Sequence, residues 1–198
     1  MNAVTTSNLN GTSTSAYNAY HAFSSSAISD VNTDYVLVDS FTGAVRQNID
    51  AGKYSIFDIA DWFLSKGKMT HKKLQKLCYY AQAWCFALNS YRLENTEYEA
   101  WVPGPVSPVL WEHFKSFGYD TIIFKGKVKD IYTPEDKRIL EDVWDTYGGM
   151  TGNALEALSH RELPWIEARR GYGPEEKCSV VISPTTMASF YKSIYCGD

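Results

Sequence analysis

His71, His113 and His160, together with Cys78, Cys85, Cys178 and Cys196, are the side chains in this sequence best suited to metal or nucleophilic chemistry. Zinc needs such ligands grouped, as in HxxxH, HExxH or paired CxxC, because a tetrahedral shell closes most readily from one helical turn or one tight knuckle. None of these spacings occurs. The cysteines therefore read as reduced thiols, and Cys78 and Cys85 fall on an apolar helical stripe where a thiol packs as a small hydrophobe. Phosphate chemistry has no better basis, since GxGxxG and GxxxxGK[ST] are absent and Pro105, next to Gly104, lacks the N–H that a phosphate cradle uses. No GxSxG nucleophile elbow occurs either. The one polar constellation is Ser159-His160-Arg161-Glu162-Leu163-Pro164-Trp165, where a helix end meets a proline break and an aromatic anchor. It could be a site, but the favoured reading is structural: His160 donates to a carbonyl freed by the break while Trp165 fills the core. The expectation is a protein that is not an enzyme, with no metal and no cofactor.

Composition narrows the remaining classes. A chain of 198 residues, 44% hydrophobic, holds one core with an appendage. Its 19 basic and 23 acidic residues give a net charge of -4, which lacks the electropositive footprint of a general nucleic-acid binder. The N-terminus, MNAVTTSNLNGTSTSAY, has neither the basic start nor the apolar stretch of an export signal. The most apolar run, Leu77 to Leu88, is interrupted by Gln82 and too short to cross about 30 Å of hydrocarbon. A cytoplasmic protein is expected.

The elements follow from periodicity and punctuation. Residues 1 to about 34 are rich in Ser, Thr and Asn with scattered aromatics at Tyr17, Tyr20 and Phe23, the composition of a partly disordered arm. Tyr35-Val36-Leu37-Val38 is β-branched and apolar, so residues 35 to 49 predict a hairpin or an added strand. The arm spans 1–53 and the main domain 54–198. Ser55 and Asp58 make a capping-box-like start to a helix over 56–66, ended by Gly67. Thr70 caps a longer helix with Leu74, Leu77, Cys78, Ala81, Trp84, Cys85 and Leu88 on one buried face and Lys72, Lys73, Gln75 and Lys76 on the outer side. Tyr91 to Leu93 and Tyr98 to Val102 predict a small β-hairpin around Glu94-Asn95-Thr96, followed by an irregular bend at Pro103-Gly104-Pro105. Ser107-Pro108 opens a helix to about Gly118, residues 119 to 132 read as loop, and Thr133-Pro134-Glu135-Asp136 opens a helix ending at Gly148. Thr151 caps a further helix that Pro164 interrupts, and Ser183-Pro184 opens the last. The fold class is mainly α: a compact helical domain with a small hairpin.

Six Trp and fourteen Tyr are many for this length, and large aromatics anchor protein interfaces as well as cores, where most of these are expected. Tyr17, Tyr20, Phe23, Tyr35, Val36 and Leu37, ahead of the main domain, are the candidate partner contacts.

Several motifs resemble one family. The run Leu74 to Trp84, LQKLCYYAQAW, is similar to the opening helix of the Panacea domain of SocA-like antitoxins, carrying Lys76, Tyr79, Tyr80 and Gln82. Glu99-Ala100-Trp101 and Gly104-Pro105-Val106 resemble its strand and bend, with Pro103 where an aromatic is common. Val143-Trp144 to Tyr147-Gly148, then Leu155 to Leu158, His160, Glu162 and Pro164-Trp165, match its ending, with Ser159 in place of threonine. The resemblance covers about residues 54 to 170, and its motif residues read as architectural. It implies a prokaryotic or phage antitoxin that neutralises a cognate toxin by direct binding. The alternatives it implies are delivery of the toxin to a cellular protease and, less favoured by the charge balance, DNA-binding control of its own operon.

Overall fold

A computed structural model of the chain describes residues 52–196. The expected arm, the strand-like Tyr35 to Val38 and the candidate contacts Tyr17, Tyr20, Phe23, Tyr35, Val36 and Leu37 lie outside the described residues. Within them the order is α1 (Ile56–Lys66), β1 (Met69–Thr70), α2 (His71–Asn89), β2 (Glu99–Trp101), β3 (Gly104–Val106), α3 (Pro108–Phe114) with a 3-10 turn at Lys115–Phe117, β4 (Thr121–Ile122), α4 (Pro134–Tyr147), α5 (Gly152–Ser159), α6 (Leu163–Ala168) and α7 (Pro184–Cys196). The domain is mainly helical, as the patterning predicts, with two small strand pairs where one hairpin is expected.

The helix starts are set by hydroxyl caps. Ser55, Thr70, Ser107, Thr133, Thr151 and Ser183 accept from the backbone N–H of Phe57, Lys73, Leu110, Asp136, Ala154 and Thr186, each worth about 1 kcal/mol. The capping box at Ser55 closes on one side only. The carboxylate of Asp58 accepts from Lys129 Nζ at 2.6 Å instead of reaching back to the helix entry.

Helix α2 departs from the expected single buried face. Every residue from Leu74 to Ala87 is buried, Gln75 and Lys76 included. The cause is its central place: α1, α3, α4, α5, α7 and β3 all pack on it. Amphipathic periodicity separates core from solvent only for a helix that has a solvent side. Wrapped on all sides, α2 must satisfy its polar side chains inside the protein.

The hairpin also sits elsewhere. β2 pairs antiparallel with β3 in the register Glu99↔Val106, Ala100↔Pro105 and Trp101↔Gly104, so the turn is Val102-Pro103 and not Glu94 to Thr96. Gly104, at φ +92°, supplies the left-handed conformation that closes it. Pro105 is tolerated in β3 because Ala100, opposite, sends its N–H to Val180 O and receives Arg169 on its carbonyl. Ala100↔Pro105 is thus a non-hydrogen-bonded pair, and no ladder bond is lost. The segment 91–94 bends back onto the domain entrance, where Tyr54 and Glu94 form a parallel bridge. The stretch 119–132, expected as loop, contains β4, which pairs with β1 as Met69↔Ile122 and Thr70↔Thr121. Two residues carry too little alternation to be seen in a sequence.

Candidate functional site

The polar residues of α2 each reach a different wall of the sheath around it. Gln75 reads both main-chain groups of Ser107: Nε2 donates to the carbonyl at 3.1 Å and Oε1 accepts the N–H at 2.9 Å. One turn shares its wall with Lys76, whose Nζ donates to Pro105 O at 2.9 Å. Lys76 is 1% exposed, and burial pulls its ammonium down to about 7, only partly offset by the charge of Glu156. Gly104 lies over this amine. A Cβ there would sit 2.8 Å from Lys76 Cε and 2.9 Å from Ser159 Oγ, so the bare α-carbon is what lets the hairpin close onto α2 and α5. Sealed in this way, the amine is a packing and hydrogen-bonding group with no open path to a substrate.

Glu162 anchors a second cluster. It stands at the entry of α6 without capping that helix; its carboxylate turns inward, accepting from Tyr191 at 2.7 Å and from Tyr80 at 3.3 Å to each oxygen. Tyr147 stacks on Tyr80 with centroids 4.1 Å apart and 10° between planes, and Trp84 Nε1 donates to its hydroxyl at 3.0 Å. Tyr79 packs edge-on against Tyr80, Tyr98 and Tyr191. Burial first, then the charge of Glu162, pushes the Tyr79, Tyr147 and Tyr191 hydroxyls well above their ordinary range, which keeps them protonated donors.

Two further buried carboxyls complete the interior. Glu94 is fully buried, receives the Tyr98 hydroxyl, and burial pushes its carboxyl up to about 8. Its N–H donates to Gln82 Oε1 at 3.0 Å. Asp136, read from sequence only as a helix-dipole partner, is also fully buried. It gathers Lys53 at 2.5 Å, Tyr54 at 2.6 Å, Thr133 at 2.6 Å and the Tyr91 hydroxyl. Although burial acts to raise it, these donors hold its pKa below the ordinary carboxylate value.

Above Lys76 the network reaches the surface as a run of aromatics. His160 stacks on Trp165 at 4.0 Å and 18°, Trp165 Nε1 donates to Trp101 O at 3.0 Å, and Trp101 meets Trp111 edge-on at 5.4 Å. Arg169 and Lys115 lie over the rings of Trp165 and Trp111, at 5.1 Å each. Trp101, Trp111 and Trp165 are half-buried, and Val109, Leu163 and Ile166 are exposed. Trp165 therefore does not fill the core as expected. Its indole packs against the outside of the core while it stacks on His160 and donates to the hairpin carbonyl. His160 donates to the backbone carbonyl of Val102, in the hairpin rather than at the helix break, and burial lowers its pKa.

Of the motif residues, Lys76, Gly104, Pro105 and His160 thus meet around the hairpin. Tyr79, Tyr80 and Glu162 meet between α2 and α7, Gln82 serves Glu94, Trp101 and Trp165 reach the surface, and Val106 and Pro164 are buried in the walls. Gln75, Glu94, Asp136, Tyr191 and Arg169, which donates to Ala100, Gly173 and Glu176 carbonyls, were not singled out by sequence. No local signal marked Gln75 and Lys76: two polar residues between Leu74 and Leu77 are the ordinary pattern of a solvent-facing stripe. Among the described residues no group of His, Cys, Asp and Glu is placed to hold a metal ion, and no helix is long and apolar enough to cross a membrane.

Comparison with known proteins places this architecture. Residues 74–166 match the family described as Antitoxin SocA-like, Panacea domain. Antitoxin SocA of Caulobacter vibrioides (strain NA1000 / CB15N) is 35% identical over 112 residues, which cover 50% of this chain and 60% of that protein. The chain thus spans less than two thirds of that curated relative. No solved structure matches. The matched segment runs from the first buried leucine of α2 to the exposed face of α6, enclosing the Lys76, Glu162 and tryptophan clusters, and over it the chain is similar to the Panacea domain of SocA-like antitoxins.

Proposed function

We propose that the chain is an antitoxin that neutralises a cognate toxin by direct protein–protein binding and that it is not an enzyme. The observation that carries this reading is the family match over residues 74–166. The site supports it. The motif side chains are spent on internal hydrogen bonds, while Trp101, Trp111 and Trp165, with exposed Val109, Leu163 and Ile166, offer the aromatic and aliphatic area that anchors interfaces. The aromatics ahead of the domain, Tyr17, Tyr20 and Phe23, supply further contact. Blocking by binding needs no second partner, whereas delivery to a protease does.

The test is co-expression with the product of the neighbouring open reading frame. Rescue of growth, and a stoichiometric complex of the purified proteins that inhibits the toxin without protease or nucleotide, is the expected result. Inhibition that appears only when protease and nucleotide are added would replace blocking with delivery. Within the complex, Trp111→Ala is expected to weaken affinity at least about tenfold, the scale of an interface anchor. Deleting residues 1–34 should also weaken rescue, and unchanged rescue would remove the arm from the contact.

A further inference from the structure

A strand-like segment, residues 180–182, lies on the outer side of β2. Val180 O accepts from Ala100 N at 2.9 Å, and Ile182 N donates to Tyr98 O at 2.7 Å. Glu99 and Val181 are the antiparallel pair between those bonds. Because the two bonds flank that pair, the N–H and C=O of Val181 point away from β2, and no described residue bonds them. Val180 and Val181 are 39% and 40% exposed. A β-branched edge with free main-chain groups is a template for one more strand.

A second feature adjoins this edge. A cavity of about 10 Å³, room for a single oxygen atom, is lined by Gln82, Arg92, Thr96, Tyr98, Val181 and Met187 among others. Gln82 is 1% exposed, and its Nε2 has no acceptor; neither has Arg92 Nε. Both are donors and one is cationic, so the group that fits is an oxygen acceptor, best a carboxylate.

We propose that this edge and cavity are docked by the chain's own segment Asp34-Tyr35-Val36-Leu37-Val38-Asp39, its backbone pairing with Val181 and the Asp39 carboxylate accepting from Gln82 and Arg92. The β-branched and aromatic centre suits a strand, and a flanking aspartate suits the donors. The tether fits as well. Gly52 lies against the Glu94–Asn95 backbone, where an added Cβ would be 2.4 Å from Asn95 N, and the next residue, Thr96, lines the cavity. The intervening residues 40–51 reach about 40 Å when extended, ample for the short span. A tether of this kind holds the segment at an effective concentration on the order of mM. The docking also covers an edge that otherwise invites pairing with a second copy.

Amide hydrogen exchange at Val181, measured on the full chain, tests this independently of any toxin. In the wild type the Val181 amide should exchange at least about tenfold more slowly than in Leu37→Pro, which removes a donor and breaks the strand. Asp39→Ala should lose part of the protection. The melting temperature of Leu37→Pro should fall by only a few degrees, the linkage counterpart of a roughly tenfold docking equilibrium, and the domain should still unfold cooperatively. Equal Val181 exchange in wild type and Leu37→Pro overturns the docking, and full protection in Asp39→Ala overturns the carboxylate contact. Protection that grows with protein concentration assigns the edge to a second copy and likewise overturns the proposal.

Discussion

Replacing Lys76 by methionine keeps the stem and removes the amine, and the structure predicts that the effect changes sign with pH. In the unfolded chain the amine titrates at 10.5, in the folded protein at about 7. Between those values the unfolded state holds a proton that the native state lacks, so stability rises with pH across the window and is lost as pH falls toward 7. At about 1.36 kcal/mol per pKa unit the whole window is worth about 5 kcal/mol, of which about 3 falls between pH 7 and 9.5. Lys76→Met removes this dependence but leaves Pro105 O without its donor, a cost of about 1 to 3 kcal/mol at every pH. The variant should therefore be more stable than wild type by about 2 kcal/mol near pH 7 and the two should converge or invert near pH 9.5. Urea denaturation at half-unit steps from pH 6.5 to 9.5 measures the difference, and other titrating groups cancel in it. A difference that stays constant across this range would show that the amine titrates normally in the folded protein and would refute the reasoning.

Glu94→Gln probes the opposite sign. Its folded carboxyl titrates near 8 against 4.5 unfolded, so its stabilising contribution is present below pH 4.5 and lost as pH rises toward 8. The glutamine variant should gain on wild type by up to about 5 kcal/mol over that window in the same denaturation assay. Gly104→Ala forces a Cβ against Lys76 and Ser159 at positive φ, and should lower stability by about 2 to 4 kcal/mol, read as a drop in melting temperature. Asp136→Ala leaves Lys53, Tyr54, Tyr91 and Thr133 without their shared acceptor and should cost about 3 to 5 kcal/mol. In the wild type the Asp136 contribution is present above pH 3.8 and fades as acid protonates it, so the Asp136→Ala deficit should shrink under acid conditions.

The helix starts were legible because a hydroxyl cap and a first-turn proline act within four residues of one another, at Ser107-Pro108 and Thr133-Pro134 as at Ser183-Pro184. Burial was legible only where one side of an element faces water. At Lys76 and Gln75 it was not, because their environment is made by β3 and α3, some thirty residues on. The hairpin register was hidden for a related reason: Pro105 looks like a breaker until Ala100 is known to turn its hydrogen bonds outward. Asp136 shows the same limit, since a carboxylate in a first helical turn fits the dipole whether or not Lys53 and Tyr54 return to meet it. Most of the motif residues make buried hydrogen bonds or packing contacts. What they build, a polar interior reaching the surface through Trp101 and Trp165, depends on contacts far apart in sequence.

The burial of α2 on every side has a further consequence for how such a domain diversifies. Between Leu74 and Ala87 the axle is insulated from any macromolecule that meets the surface of the domain. Any macromolecule approaching the folded domain reads only the sheath, and residues of that sheath such as Val109, Ile166 and Trp111 can change identity without disturbing a hydrogen bond to Gln75, Lys76 or Gln82. On the proposed reading recognition and folding are written on separate layers, so new specificity can be grafted onto the outer layer while the inner one is left alone.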